Sequence, residues 1–315
     1  MPSNACMIAR DIIVIGASAG GFDAVEKLAA MFPPDLQAAV FVTVHLAERS
    51  EGVLPELLTR AGPLPAIHPW EDTPIQMGRV YVAPPDHHLI LTPNSVHVGH
   101  GPRENLQRPC INTMFRSAAA AHGPRVIGAL LTGLLDDGAA GLWEIQQQGG
   151  ATVVQDPEEA PFRSMPDNAI RGLNVQYIVR LAEMGPLLVR LTMGDRTQSN
   201  ERNVEKPTEQ LTMQACPECG GAMTLYKMGH LREYRCHIGH RFGLKTMIAE
   251  KSGVVERAIS SALSQSEELS ELLEHARTAL DEEAAGAIHA EIAQRKKEQE
   301  TLRGLMERSV TPSLG

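Results

Sequence analysis

The chain has 315 residues, of which 43% are hydrophobic, so it can bury one sizeable core and still carry one or two small modules. Its formal net charge of -9 argues against a general nucleic-acid binder, because neutralising phosphates requires clustered positive charge. No apolar run approaches the roughly 18 residues of a membrane span, and the N-terminus lacks the pattern of a secretory signal. We therefore expect a cytoplasmic protein that does not insert into membranes.

Short apolar runs rich in β-branched residues alternate with helical patterns over the first part of the chain. The runs lie at 11–15, 38–44, 79–83, 126–132 and 151–154, and the helical patterns include 22–31, 112–122 and 139–148. This alternation predicts an α/β fold for residues 8–193, with a doubly wound, mostly parallel sheet and helices on both faces. Residues 96–98 follow Pro93 and Asn94 and are predicted to form the second strand of a hairpin on that sheet.

The C-terminal part divides into three predicted segments. Residues 194–212 contain almost nothing to bury and are predicted to be a linker. A cysteine-containing module follows at 213–245. Residues 246–308 lack proline and place apolar side chains at three- and four-residue steps, which predicts an amphipathic helical tail with a break at 281–286. The apolar stripe of this tail suits self-association or a partner helix.

The turn after the first predicted strand carries one hydroxyl, that of Ser18, between Gly16 and Gly20. This G-x-S-x-G pattern is typical of an elbow that exposes a nucleophilic serine between a strand and a helix. A nucleotide site is excluded, because the phosphate-loop lysine is missing and the glycine spacing is not the dinucleotide fingerprint. A plain tight turn with an uninvolved serine remains the alternative.

Two further groups are predicted to lie at the same edge of the sheet. His45 follows the apolar run at 38–44, and Asp136 and Asp137 follow the run at 126–132. Carboxyl ends of parallel strands form the ligand crevice of an open α/β sheet. A serine needs a base to become nucleophilic, and a carboxylate orients that base. A packed core histidine, and an aspartate that caps the following helix, are the alternatives for these positions.

Several motifs in residues 10–192 resemble those of the chemotaxis protein-glutamate methylesterases. They are Ile15 to Gly21, Val44 to Leu46, Val80 to Leu89, Gly101 to Asn105, Leu131 to Gly133, Asp137 to Leu142, Gln155 to Pro157, and Met165 with Pro166. The resemblance implies a doubly wound α/β domain with a catalytic Ser18, His45 and Asp137. Asp137 is preferred to Asp136, because the family aspartate directly precedes the glycine matched by Gly138.

The same resemblance implies hydrolysis of γ-glutamyl methyl esters on the cytoplasmic helices of chemoreceptors, with deamidation of receptor glutamines in some members. The reaction that the resemblance implies needs no catalytic cofactor. It implies methylated receptor helices as partners, and a chemosensory methyltransferase or histidine kinase as further candidates. The Ala19 amide and the turn at Leu134 are candidate oxyanion donors.

This chain departs from the best-known members of that family at three places. Ala19 stands where they have a threonine, and Leu134 and Leu135 stand where they have Met-Gly. The first strand begins near residue 11, so we expect no N-terminal receiver domain and a different mode of regulation. Cys110 has no obvious activating partner in the sequence and is expected to be a small buried hydrophobe.

The cysteine module carries a metal-binding pattern. Cys216 and Cys219 form a C-x2-C pair, and Cys236 and His240 follow after a 16-residue gap. Four such ligands predict a closed, structural zinc site in a zinc-ribbon-like module. His237 is the rival fourth ligand, and an unmetallated cysteine cluster is the alternative. The small excess of positive charge in this segment favours protein contact over nucleic acid.

Three functions remain open from the sequence. The first is an active protein-glutamate methylesterase, and the second is a catalytically weak docking subunit of a chemosensory signalling complex. The third is a serine carboxylesterase for small esters, which the extent of the family motifs disfavours.

Overall fold

A computed structural model describes residues 10–46, 50–70, 72–194, 206–278 and 282–308. The chain divides between Thr246 and Met247 into two compact units. The strands are β1 (Ile12–Ala17), β2 (Ala39–Val44), β3 (Ala66–Ile67), β4 (Thr73–Pro74), β5 (Val80–Val82), β6 (His88–Leu91), β7 (Ser95–Gly99), β8 (Val126–Leu130), β9 (Ala151–Gln155), β10 (Tyr177–Val179), β11 (Thr208–Ala215), β12 (Ala222–Met228), β13 (Leu231–Cys236) and β14 (Arg241–Gly243). The helices are α1 (Gly21–Ala29), α2 (Leu54–Ala61), α3 (Ile111–His122), α4 (Ala139–Gln147), α5 (Ser164–Gly172), α6 (Leu181–Thr192), α7 (Leu244–Arg277) and α8 (Glu282–Arg308), with a short 3₁₀ helix at Gly123–Arg125.

The largest sheet has seven strands in the order β10-β9-β8-β1-β2-β5-β3, and every pairing in it is parallel. Alternate residues of β1 enter two separate cores: Ile13 packs with residues of α1, α2 and α6, and Ile12 packs with residues of α3, α4 and α5. Strands buried on both faces explain the continuous apolar runs in the sequence. The predicted doubly wound sheet with helices on both faces is confirmed.

The strand order reverses between β1 and β8. From β1 the chain moves outward to β2, and β8 later returns to the other side of β1. In open α/β sheets the crevice at such a switch point is the usual ligand site. The loop after β1 carries Ser18, and the loop after β8 carries Asp137, so both predicted site residues flank this crevice.

The hairpin predicted around 96–98 exists, but it does not belong to the large sheet. Strands β6 and β7 pair antiparallel and form a separate three-stranded sheet with β4. The sequence pattern identifies a hairpin by its local turn, whereas the sheet it joins depends on contacts made elsewhere in the chain.

The third sheet is antiparallel and contains β11, β12, β13 and β14 in that order. Its first strand begins at Thr208, inside the segment predicted as a linker. Seven of its eight residues are exposed, so no alternation of buried and exposed side chains marks it in the sequence. Residues 195–205 of the predicted linker lie outside the described residues.

The cysteine module, predicted at 213–245, includes β11 and is taken from here on as residues 206–245; it packs against the α/β part of the same unit. Met228 is a buried member of the core that contains α3, α4 and α5, and Leu231 packs against that core. A Cβ on Gly172 would lie 2.2 Å from Leu231 Cδ2, so the absence of a side chain there admits the leucine. The module and the α/β part therefore share one hydrophobic core.

An ion-pair network crosses the same contact. The Arg116 guanidinium on α3 donates to Glu104 at 3.0 Å and to Glu233 on β13 at 3.1 Å. Arg241 on β14 lies 3.5 Å from Glu104 and 3.6 Å from Glu233. Burial raises the pKa of Glu233, but the charges of Arg116, Arg235 and Arg241 outweigh burial and hold it below its ordinary value.

Replacing Glu233 with glutamine should lower the free energy of unfolding by about 3 kcal/mol, because the two partly buried arginines, Arg116 and Arg241, would then share the carboxylate of Glu104. Urea unfolding of the full chain, followed by circular dichroism, measures this change. Glu209→Gln on the exposed strand β11 is the control and should change stability by less than about 0.5 kcal/mol. Equal stability of the two variants would show that the network contributes little.

The second unit contains most of α7 and all of α8. These helices are antiparallel, with the Gln299 side-chain amide donating to Ser266 O at 3.0 Å and Ser270 Oγ at 2.9 Å. A break separates the two helices, as predicted. Residues 282–286 of the predicted break are helical instead, because α8 begins at Glu282; residues 279–281 lie outside the described residues. Among the described helices, none is long and apolar enough to cross a membrane.

Candidate active site and metal centre

The Ser18 turn is shaped by three glycines. A Cβ on Gly16 would lie 2.3 Å from Ile111 Cγ2, and one on Gly21 would lie 2.7 Å from Ala17 Cβ, so both positions require a bare backbone. Gly20 has φ +72°, which an L side chain rarely adopts. The Ser18 N–H donates to Thr132 O at 3.0 Å, which ties the turn to the loop after β8.

His45 lies between the serine and an aspartate. It directly follows β2, and its backbone N–H donates to Ala17 O at 3.2 Å. Its Nδ1 lies 2.9 Å from Ser18 Oγ, and its Nε2 lies 2.7 Å from Asp137 Oδ2. A carboxylate at Nε2 accepts a hydrogen bond from Nε2–H, so Nδ1 is left as the acceptor for the serine proton.

Asp137 is buried and accepts hydrogen bonds at the N-terminus of α3. Its Oδ2 accepts from Ile111 N at 2.8 Å, and its Oδ1 accepts from Asn112 N at 3.2 Å. Burial raises the pKa of Asp137, but the hydrogen bond and charge of His45 and the Ile111 amide outweigh burial and lower it to about 2. The group is therefore a carboxylate at any physiological pH.

Two side chains to which the sequence analysis gave no role in the site, Asn105 and Cys110, complete the surroundings of Asp137. Asn105 Nδ2 donates to Asp137 Oδ1 at 3.1 Å, and Cys110 Sγ donates to the same oxygen at 3.1 Å. Cys110 is fully buried, as expected, and burial together with the Asp137 charge raises the pKa of its thiol well above its ordinary value. It therefore acts here as a hydrogen-bond donor.

Asp136 faces away from His45. Its carboxylate accepts from Lys245 N at 2.9 Å and Thr246 Oγ1 at 2.7 Å, in the first turn of α7. Neither aspartate caps the helix that follows it, since α4 has Gly138 at its N-cap and no side-chain cap. Each caps a distant helix instead: Asp137 caps α3, and Asp136 caps α7.

The loops beside Ser18 expose apolar side chains. Leu134 is 51% exposed and Phe162 is 40% exposed, and a Cβ on Gly20 would lie 3.4 Å from the Phe162 ring. Leu135 has φ +62°, a left-handed conformation that costs a leucine about 1 kcal/mol or more. Asn168 Nδ2 donates to Leu135 O and supports this turn.

A second cluster of candidate functional side chains lies in the cysteine module. Ligand atoms of Cys216, Cys219, Cys236 and His240 all lie within 4.8 Å of one another. Cys219 Sγ is 3.8 Å from Cys236 Sγ, and His240 Nδ1 is 3.5 Å from Cys236 Sγ and 3.7 Å from Cys216 Sγ. The His237 ring lies instead against Gly221. This Cys3His group could hold a metal ion.

The local backbone brings these ligands together by two similar turns. In the first turn Gly220 N donates to Cys216 O at 2.9 Å, and in the second Gly239 N donates to Cys236 O at 3.1 Å. Both glycines have positive φ, +71° and +107° respectively, which suits residues without a Cβ. The spacing C-x2-C and C-x3-H is therefore a consequence of two tight turns facing one another.

The fold and the site define a doubly wound α/β protein whose sheet edge carries a hydrogen-bonded serine, histidine and aspartate. The profile of the CheB methylesterase family matches residues 13–188. The chain belongs to the CheB methylesterase family.

Individual relatives are similar over the same part of the chain. A protein-glutamate methylesterase/protein-glutamine glutaminase of Methanosarcina mazei is 33% identical over 190 residues, which cover 58% of this chain and 52% of that protein. One of Anaeromyxobacter dehalogenans is 35% identical over 184 residues, which cover 57% of this chain and 51% of that protein. A Leptospira interrogans relative is 34% identical over 189 residues, which cover 98% of it. The chain thus matches about half the length of the first two.

A solved structure supports the fold. The crystal structure of the Thermotoga maritima CheB methylesterase catalytic domain superposes with a TM-score of 0.56 and covers 58% of this chain and all of that chain. The two sequences are 24% identical. The predicted family and its α/β fold are confirmed.

Proposed function

We propose that this protein hydrolyses γ-glutamyl methyl esters on the cytoplasmic helices of chemoreceptors, with Ser18, His45 and Asp137 as the catalytic residues. The observation that carries the proposal is the continuous hydrogen-bonded path from Ser18 Oγ through His45 to Asp137, with distances of 2.9 Å and 2.7 Å. Family membership supplies the substrate class, since curated relatives are protein-glutamate methylesterases. Residues 8–193 form the catalytic part in this proposal.

The geometry supports a two-step acyl transfer. His45 Nδ1 takes the Ser18 proton as Oγ attacks the ester carbonyl, and the tetrahedral intermediate collapses to an acyl-enzyme. His45 returns that proton to the departing methoxide, which leaves as methanol. Water then attacks the acyl-enzyme with His45 again as base, so that the products are a glutamate carboxylate, a proton and free Ser18. Asp137 stabilises the imidazolium in both steps.

An oxyanion site is available next to the nucleophile. The Ala19 amide follows Ser18 and precedes the first turn of α1, where backbone N–H groups lack intrahelical acceptors. We assign it as one donor, with the turn at Leu134 supplying another. Hydrolysis of a side-chain amide would follow the same path with ammonia as the leaving group, so glutamine deamidation belongs to the same proposal.

The Cys3His group fits zinc. Zn–S bonds of about 2.3 Å and Zn–N bonds of about 2.0–2.1 Å at tetrahedral angles separate two sulphurs by about 3.8 Å and a sulphur and a nitrogen by about 3.6 Å. The separations here of 3.8 Å between sulphurs and 3.5 Å and 3.7 Å from sulphur to nitrogen agree. Four protein ligands leave no open position, so the zinc supports the module and takes no part in hydrolysis.

Methanol release from a methylated receptor fragment tests the proposed reaction. The wild-type protein should release methanol, and Ser18→Ala should lower kcat by at least about 10³-fold, because the acyl-enzyme cannot form. Ser50→Ala, a serine outside the elbow, is the control and should keep wild-type activity. A wild-type protein that binds the fragment but releases no methanol would instead support the docking subunit.

A further inference from the structure

The cysteine module contacts the candidate catalytic carboxylate through one side chain, that of Asn105. Asn105 is 5% exposed, and its amide uses both polar ends: Nδ2 donates to Asp137 Oδ1 at 3.1 Å, and Oδ1 accepts from Gly243 N at 2.8 Å. Its backbone N–H donates to Arg241 O at 2.7 Å. The buried Asn105 amide therefore joins the Gly243 N–H and the Asp137 carboxylate in one hydrogen-bonded chain.

A second contact joins the cysteine module to the loop that carries Asp137. Asp136, the neighbour of Asp137, receives hydrogen bonds from Lys245 N and Thr246 Oγ1 directly after β14. A Cβ on Gly243 would lie 2.3 Å from Asp136 Oδ2, so β14 approaches this aspartate as closely as a bare backbone allows. The turn that carries both aspartates is therefore held from the module side.

The candidate metal ligands lie at the start of this contact. His240 directly precedes Arg241, the first residue of β14, and its carbonyl accepts from Cys236 N at 3.0 Å. Glu233 and Leu231 already fasten β13 to the α/β part. What remains to be fixed is the turn at Cys236 to His240, and a bound metal would fix it.

We propose that Asn105 is a positioning residue that couples the metal centre of the cysteine module to Asp137, so that metal occupancy tunes ester hydrolysis without the metal meeting the substrate. This inference rests on the proposed hydrolytic function. With metal bound, β14 presents the Gly243 N–H to the Asn105 carbonyl oxygen, and the amide nitrogen then faces Asp137. Without metal, the turn from Cys236 to His240 that leads into β14 is no longer fixed by its ligands, so the Gly243 N–H and with it the Asn105 amide are held less firmly against Asp137.

Two substitutions at Asn105 distinguish a residue that positions Asp137 from one that only holds the cysteine module in place. Asn105 has φ +49°, which glycine and aspartate tolerate better than alanine does. Asn105→Gly removes both hydrogen bonds of the side chain. Asn105→Asp keeps an acceptor for the Gly243 N–H but removes the donor to Asp137 and places a second carboxylate beside it. If Asn105 only fastened the module, the aspartate variant would behave as wild type.

Kinetics of methanol release from a methylated receptor fragment should show the following pattern. Asn105→Gly and Asn105→Asp each lower kcat by about tenfold or more with KM nearly unchanged, which corresponds to one hydrogen bond to a charged group. An aspartate variant with wild-type kcat would overturn the proposal.

Metal removal supplies the coupling test. Dialysis of the full chain against a chelator should lower kcat of the wild type by about tenfold, and added Zn²⁺ should restore it. In Asn105→Gly the same treatment should change kcat by less than about twofold, since the side-chain link from Gly243 to Asp137 is already removed. Gly243→Ala should lower kcat with the metal in place, whereas Gly253→Ala, the same change ten residues further along, should not. Equal losses on metal removal in wild type and Asn105→Gly would overturn the coupling.

A spectroscopic measurement keeps this test separate from the test of the proposed function. The proton NMR resonance of His45 Nε2–H reports its hydrogen bond to Asp137 and requires no turnover. It should shift on metal removal in the wild type and stay in place in Asn105→Gly. An unshifted resonance in the metal-free wild type would overturn the coupling, whether or not methanol is released. If Ser18→Ala retains full activity while the resonance shifts, the catalytic assignment fails and the coupling stands.

Discussion

Replacing Asp137 with asparagine should lower kcat for ester hydrolysis by about 10⁴-fold while KM for the receptor fragment stays nearly unchanged. His45 Nε2 lies 2.7 Å from Asp137 Oδ2, and an amide at that position no longer selects the Nε2–H form of the ring. It also cannot stabilise the imidazolium. Steady-state methanol release at saturating substrate measures the loss.

The adjacent carboxylate provides the matched control. Asp136→Asn makes the same chemical change one residue away, at a side chain that contacts Lys245 and Thr246 instead of His45. Its kcat should remain within about tenfold of the wild-type value. Equal losses in the two variants would contradict the assignment of Asp137 as the partner of His45.

Asp137→Asn also has an effect on the free energy of unfolding, and this effect depends on pH. The pKa of Asp137 is about 2 in the folded protein, against about 3.9 for an unfolded aspartate. A lowered pKa stabilises the folded state by about 2–3 kcal/mol above pH 4, and this contribution disappears as pH falls through 2. The stability difference between the wild type and Asp137→Asn should therefore shrink from pH 5 towards pH 2, as measured by urea unfolding. A difference that stays constant over this range would contradict the lowered pKa.

Replacing His240 with alanine should weaken zinc binding by more than the roughly 100-fold cost of losing an outer-shell contact, because in the proposed site it removes a direct ligand. His240 Nδ1 lies 3.5 Å from Cys236 Sγ, within the cluster. Competition with a metal indicator measures the affinity. The neighbouring His237→Ala should keep wild-type affinity, since that ring lies against Gly221. Loss of zinc in the His237 variant alone would reverse the ligand assignment.

The positions of Ser18, His45 and an aspartate directly after predicted strands are enough to predict that they lie at one edge of the sheet. Each follows a buried parallel strand, and the carboxyl ends of such strands share an edge whatever the details of packing. The choice between Asp136 and Asp137 required the family motif, because both residues follow β8 and both end up as helix caps. Only the structure separates them by their partners, His45 and the first turn of α7.

Other parts of the site leave no local trace in the sequence. Asn105 and Gly243 are 138 residues apart, and Arg116 and Glu233 are 117 residues apart. No periodicity or spacing rule relates such pairs, so the sequence does not predict the contact between the cysteine module and the α/β part. Strand β11 is not predicted from the sequence for a different reason: its side chains are mostly exposed, so they show no alternation of buried and exposed positions.

The shared core has a practical consequence for recombinant work. A fragment trimmed to residues 13–188, the span that matches the family, would lose Met228 and Leu231 from the core beside α3, α4 and α5. It would also leave Arg116 without Glu233, and Asp136 without the α7 amide and hydroxyl that it caps. We expect such a fragment to aggregate on expression, whereas a boundary placed after Thr246 retains every one of these contacts.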